Sequence, residues 1–172
     1  TMDVSGGGTI NNLDAKLKTD FTQLTLSNYD FSALQLEGEL NNGKGGVYLA
    51  FKDDNLNFLA KSKVVLDSIN STMDLNLNVI GADLYALGVT KESIKAGLQL
   101  NASFQGNAEA YHIDAQIENG IAVYDNEQYQ MGPVNLKSFI DATHTDVSVA
   151  SDFLVANLKS NASPKGLSDA LT

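Results

Sequence analysis

The chain has 172 residues, no cysteine and a formal net charge of -10. This length is enough for one sizeable domain or two small repeat units, and the lack of cysteine excludes disulfides, thiolate zinc sites and a cysteine nucleophile. All 11 basic residues are lysines, and a negative net charge without arginine argues against nucleic-acid binding.

The first residues carry no recognisable targeting signal. The segment Thr1 to Gly6 has neither a basic region nor an apolar stretch, and no run in the chain approaches the roughly 18 apolar residues of a membrane span. We therefore expect an excised fragment whose targeting is encoded elsewhere. The triplet Gly6-Gly7-Gly8 lacks the lysine and helix of a phosphate-binding loop and is expected to be a flexible lead-in.

Apolar and polar residues alternate with a period of two through most of the chain. The alternation is clear at residues 34–40, 47–51, 73–79, 98–104 and 111–117. Because successive side chains of a strand point to opposite faces, this pattern predicts antiparallel strands with one apolar and one solvated face. The sequence thus predicts an all-β fold of repeated antiparallel hairpins.

Turn-forming residues separate these runs. They occur at 41–46, 53–55, 105–107, 118–120 and 125–126, and they are rich in Gly, Asn and Asp, which tolerate positive φ or bond their own backbone. The hairpins should therefore be short and sequential. Residues 82–88 are the one plausible helical turn within the sheet, with Asp83 near its start and Gly88 able to end it, so we expect at most one or two short helical turns.

An internal repeat is visible at an offset of 64 residues. Residues 32–40 align with 96–104, and 47–51 align with 111–115 in the same register. A repeat of strand, turn and strand predicts similar units stacked into one continuous sheet.

We therefore interpret the whole chain, residues 1–172, as a single β-repeat segment of a larger protein. Its approximate repeat units are 20–85 and 86–150, and residues 151–172 are a tail or a truncated next unit.

Three sequence segments resemble those of a known protein family. Residues 29–38, 54–58 and 73–87 resemble the TamB branch of the AsmA-like envelope proteins, particularly the forms found in Bacteroides-type bacteria. The resemblance implies a long curved sheet folded lengthwise into an open trough, a "β-taco", whose apolar lining shields acyl chains between the inner and outer membranes. It implies a periplasmic segment, an inner-membrane anchor and an outer-membrane β-barrel at the ends of the full-length protein, and a role in phospholipid transport or outer-membrane assembly.

The candidate lipid-contacting residues are those that alternation places on the apolar face. They are Leu34, Leu36, Leu40, Val47, Leu49, Phe51, Leu56, Phe58, Leu75, Leu77, Val79, Leu98, Leu100, Phe104, Ile113 and Ile117. Phospholipid acyl chains are the expected ligand. An exposed lining of this size is also expected to promote self-association of the fragment.

The same apolar face has a plainer explanation. It can pack against a second sheet, as in a structural or adhesive cell-surface β-sandwich that binds protein or glycan through its loops. This alternative predicts a closed core and no lipid.

Chemistry-bearing residues are few. His112 and His144 lie in strand-like runs on the polar side without a metal-ligand spacing, and Asp53-Asp54-Asn55 lacks the rest of a calcium loop. The carboxylates are scattered and no nucleophile motif is present. The sequence therefore predicts no enzyme, no metal site and no cofactor.

Overall fold

A computed structural model gives the architecture of the protein. It describes residues 2–26, 29–163 and 166, and for 22–26 and 29–32 it describes the backbone alone. These residues form one open antiparallel sheet of 12 strands with a single 3-10 turn at Ile10–Asn12, which confirms the predicted all-β fold. Residues 164, 165 and 167–172, the end of the predicted tail, lie outside the described part.

The strands follow the chain, and most of the connections between them are short. Their bounds are β1 Met2–Gly7, β2 Asp14–Leu26, β3 Tyr29–Asn41, β4 Lys44–Lys52, β5 Leu56–Val65, β6 Ser71–Asp83, β7 Ile94–Gly106, β8 Tyr111–Tyr124, β9 Glu127–Met131, β10 Val134–Ile140, β11 Thr145–Ala150 and β12 Val155–Ser160. Each strand pairs with the next from β1 to β8, and β10, β11 and β12 continue the order. The chain is thus a meander, and the division into units 20–85 and 86–150 stays a prediction.

Strands β9 and β10 share one neighbour. Both pair with β8, β9 along Gly120 to Tyr124 and β10 along Tyr111 to Ile117. Gly132 and Pro133 lie between them, and proline cannot donate a ladder hydrogen bond. The break therefore divides one long partner of β8 into two strands.

Two tight hairpins form where Asn or Asp residues were expected to turn the chain. Asn42 and Gly43 have φ of 51° and 73°, and Asp125 and Asn126 have φ of 51° and 61°. Two consecutive residues with positive φ are typical of the type I′ turn, whose twist matches that of the flanking strands. The predictions of turns at 41–46 and 125–126 are confirmed.

The predicted turn at 118–120 is wrong. Those residues lie inside β8, where the pairing with β7 shifts register opposite Gly97 to Gln99. Asn119 has φ of 51°, so its tolerance of positive φ serves a β-bulge and not a chain reversal. The sequence cannot separate these uses because both need the same backbone conformation.

The predicted helical turn at 82–88 is a hydrogen-bonded turn that follows β6. The Asp83 carboxylate accepts a hydrogen bond from the backbone N–H three residues on. At the other end the Val89 N–H donates to the Leu84 carbonyl at 2.8 Å, and the Gly88 N–H donates to the Tyr85 carbonyl at 3.0 Å. These bonds form a Schellman motif, which Gly88 permits with a φ of 72°.

The glycines near the N-terminus correct another expectation. Gly6 and Gly7 end β1, which pairs with Asp14 to Thr19 of β2, so they are not a flexible lead-in. A Cβ at Gly6 would lie 2.8 Å from the Asp14 carbonyl oxygen. Glycine lets the two backbones approach at this edge of the sheet.

The described residues form a single layer. No described side chain is less than 2% exposed, and the buried apolar residues are only Ala50, Phe51 and Ala82. All extensive contacts between the described strands join strands that are hydrogen-bonded neighbours in the sheet. The two-sheet architecture of the β-sandwich interpretation is therefore not seen in the described ranges, whereas binding through loops stays a prediction.

Candidate functional site

The candidate lipid-contacting residues all fall on one face of the sheet by register. One cross-strand row contains Leu36, Leu49, Leu77, Leu100 and Ile117. The neighbouring rows contain the rest: Leu34, Phe51, Phe58, Val79 and Leu98; Val47 and Leu75; Leu40, Phe104 and Ile113; and, beyond a bulge in β6, Leu56. We call this surface the apolar face. Contact with lipid stays a prediction.

Most side chains of the apolar face are half-buried. Phe51 is buried and Val47 is exposed, and the other candidates are intermediate. Two aromatic pairs support the packing, with ring centroids 5.6 Å apart for Phe51 and Phe58 and 5.9 Å apart for Phe104 and Tyr111. Side chains on neighbouring strands therefore shield one another, although no second layer lies over them in the described chain.

The apolar face extends beyond the residues that were predicted. Leu136 pairs with Ala115 and Val149, and Val147 lies opposite Ser138. The alternation Asp146-Val147-Ser148-Val149 is a strand signal that the sequence reasoning left unused. The apolar surface therefore continues to β11.

Three buried polar side chains interrupt this face. Thr19 is 2%, Thr145 4% and Ser138 6% exposed. The Thr145 hydroxyl donates to the Ala162 carbonyl at 2.8 Å. The Ser138 Oγ has no hydrogen-bond partner among the described residues, which makes it a local cost to stability.

The opposite, polar face carries a ladder of paired side chains. The Lys18 ammonium lies 2.9 Å from the Glu37 carboxylate, and Asn76 donates to the Asn101 amide oxygen at 2.6 Å. The Lys61 Nζ lies 5.9 Å from the centroid of the Tyr48 ring. The hydrogen bond from Lys18 lowers the pKa of Glu37, and the same bond raises the pKa of Lys18.

A cleft of about 960 Å³ lies over this ladder. Its lining consists of Lys16, Leu17, Lys18, Glu37, Gly38, Glu39, Gly46, Val47, Tyr48, Lys61, Ser62, Lys63, Asp74, Leu75, Asn76, Asn101, Ala102, Ser103, Asp114 and Gln116.

The side of the sheet on which the cleft lies follows from this lining. Each strand from β2 to β8 contributes two residues of the polar face to the lining. On every strand except β8, the single apolar-face residue between those two also lines the cleft. The next apolar rows, with Leu36, Leu49 and Leu77, are not part of it. We call this cleft the polar cleft. Of the candidate lipid-contacting residues, only Val47 and Leu75 border it.

Neither histidine belongs to the apolar face or to the lining of the polar cleft. His112 is exposed on the polar side of β8, and His144 lies in the turn before β11 and not in a strand.

Hydrogen bonds from the Thr143 backbone N–H and hydroxyl, and from the His144 N–H, lower the pKa of Asp141 to about 2. Within the described ranges no cluster of three or more His, Cys, Asp or Glu side chains could hold a metal ion.

The turn at Asp53-Asp54-Asn55 is a simple connection. The Asp53 carboxylate accepts a hydrogen bond from the Asn55 N–H at 3.0 Å, so it caps its own turn.

The described residues include no helix that is long and apolar enough to cross a membrane.

Comparison with known proteins adds no further constraint. No known protein family matches the chain, and no curated protein or solved structure is significantly similar to it.

Proposed function

We propose that the chain is a periplasmic segment of a cell-envelope protein whose apolar face provides a wall for phospholipid acyl chains. The observation that carries this proposal is the apolar face of a single-layer sheet, which extends from β3 to β11 with no second layer over it in the described chain. A contiguous apolar face that no other layer covers is typical of a surface that binds a ligand or a partner. Acyl chains fit a face made of aliphatic and aromatic side chains.

The resemblance to the TamB branch of the AsmA-like proteins supports the same proposal. On this interpretation, the segment belongs to a longer protein that is anchored in the inner membrane and contacts a β-barrel in the outer membrane. The full-length protein then transports phospholipid between the membranes or assists outer-membrane assembly.

The proposed mechanism is solvation without a chemical step. Each buried acyl methylene contributes about 0.8 kcal/mol, so a partly buried chain already gains useful affinity. Acyl chains lie along the rows that include Leu36, Leu49 and Leu77, while the headgroup stays in water. Since these rows lack charged anchors, lipids can slide and many headgroups are accepted.

The test is native mass spectrometry of the chain purified from bacteria without detergent, with extraction and identification of lipid. We expect bound phospholipid in the wild type and its loss in Leu77→Asp, because a carboxylate in the middle of the apolar face is costly beside an acyl chain. Asn78→Asp is the matched control, since it adds the same charge one residue away on the polar face.

A second measurement protects the test against misfolding of Leu77→Asp. A photoreactive benzoylphenylalanine in place of Leu100 should crosslink phospholipid, whereas the same group in place of Gln99, on the other face, should not. A lipid-free wild type that takes up nothing from added vesicles would contradict the proposal. Equal crosslinking from both positions would also contradict it.

A further inference from the structure

The polar cleft has the lining of a ligand site that is independent of the apolar face. It contains four lysines and four carboxylates, namely Lys16, Lys18, Lys61, Lys63, Glu37, Glu39, Asp74 and Asp114. The remaining polar side chains on the polar face of the lining are the hydroxyls of Tyr48 and Ser103 and the amides of Asn76, Asn101 and Gln116. Hydrogen-bond donors and acceptors are therefore both present along the cleft.

The charges of the lining indicate an uncharged ligand. The chain as a whole has a net charge of -10, but the lining has as many lysines as carboxylates. An anion would meet the carboxylates of β3, and a cation would meet the lysines of β2 and β5. A ligand whose groups both donate and accept hydrogen bonds without charge fits every position, and hydroxyl groups have this property.

The size and direction of the cleft indicate an elongated ligand. A volume of about 960 Å³ lies near the upper end of ordinary ligand sites. The cleft crosses seven strands, and six inter-strand spacings of about 4.8 Å give a span of roughly 29 Å. The ligand therefore lies across the strands, as a linear chain of several units would.

Contacts already present hold the lining in place. The Lys18–Glu37 ion pair and the Asn76–Asn101 hydrogen bond fix side chains on neighbouring strands. The side-chain oxygen of Asn76 and the side-chain N–H groups of Asn101 are not used in this bond and can face a ligand. A site arranged before binding loses less side-chain entropy when the ligand arrives.

Tyr48 gives the cleft one aromatic surface within the lining described. Lys61 lies over its ring at 5.9 Å from the centroid, and an exposed cation–π contact of this kind contributes only about 0.5–1 kcal/mol. A sugar ring can take the place of the ammonium at little cost. We propose that the polar cleft binds an uncharged oligosaccharide lying across strands β2 to β8.

The experiment measures binding of defined hexasaccharides to the whole chain by isothermal calorimetry and saturation-transfer NMR. The uncharged probes are maltohexaose, cellohexaose, mannohexaose and the hexamer of N-acetylglucosamine, each at millimolar concentration. The charged probes are the hexamers of galacturonate and of glucosamine. We expect at least one uncharged probe to bind, and to bind more tightly than either charged probe.

Variants locate the binding. Tyr48→Ala and Asn101→Leu should each weaken binding about tenfold, and Asn135→Leu should leave it unchanged. Asn135 is the matched control because it continues the same row beside Gln116 but does not line the cleft. Amide NMR spectra establish that each variant keeps the fold. No binding by any uncharged probe, tighter binding of a charged probe, or full affinity in both cleft variants would overturn the proposal.

Discussion

The rings of Phe51 and Phe58 stack across β4 and β5, with an interplanar angle of 8° and centroids 5.6 Å apart. The two residues are direct partners in the register, and Phe51 is only 4% exposed. Because the described residues form no second layer, such cross-strand pairs take over part of the role of a core. Stability should therefore be concentrated at a few places on the apolar face.

The first prediction concerns Phe51. Phe51→Ala should lower the free energy of unfolding by about 3 kcal/mol, because it removes a buried ring and the stacking with Phe58. The measurement is urea denaturation followed by circular dichroism. Phe153→Ala is the control, since Phe153 is 74% exposed and its loss should change stability by less than about 0.5 kcal/mol. Equal effects of the two changes would contradict this account of the apolar face.

The second prediction separates an unpaired hydroxyl from a paired one. Ser138→Ala should maintain or raise the free energy of unfolding, by up to about 1 kcal/mol, because it removes a buried Oγ without a described partner. Thr145→Val should lower it by about 1 kcal/mol, because it deletes the hydrogen bond to the Ala162 carbonyl. Thermal or urea unfolding measures both, and a loss in Ser138→Ala as large as in Thr145→Val would show that Ser138 is bonded.

The third prediction concerns the hairpin at Gly43. Gly43→Ala should lower the free energy of unfolding by about 1–2 kcal/mol, since Gly43 has a φ of 73° and a Cβ would lie 3.2 Å from the Leu66 carbonyl oxygen. Gly81→Ala is the control, because nothing lies within 4 Å of a Cβ there. Urea denaturation compares the two variants. A Gly43 variant as stable as the Gly81 variant would contradict the type I′ turn.

The fourth prediction is a pH dependence at the turn before β11. The pKa of Asp141 is lowered from 3.8 to about 2, chiefly by hydrogen bonds from Thr143. A carboxyl with a lowered folded-state pKa stabilises the fold above the unfolded pKa, and this contribution is lost as the pH falls from 3.8 through about 2. Carbon-13 NMR titration of the Asp141 carboxyl should give a midpoint near 2.

Asp141→Asn should remove this part of the acid sensitivity, because the amide does not titrate in this range. A midpoint of Asp141 near the ordinary aspartate value would mean that the turn opens in solution.

Much of the strand pattern could be predicted from the sequence because it depends on local rules. Alternation at 34–40 and 73–79 placed Leu36 and Leu77 on one face, and both lie in one cross-strand row. Asn42-Gly43 and Asp125-Asn126 form the expected turns because few residues accept positive φ. The turn predicted at Asn119-Gly120 was wrong, because a β-bulge uses the same positive-φ conformation as a turn.

Three properties follow from the amino-acid sequence alone: the class of the fold, the side on which each residue of an alternating strand lies and the absence of thiol chemistry. The tertiary structure decided what depends on long-range pairing: the strand order, the break at Gly132 and Pro133, and the open single layer. It also decided that Tyr48, Asn76 and Asn101 border one cleft. Alternation specifies only a face of each strand, whereas the register between strands determines which side chains become neighbours.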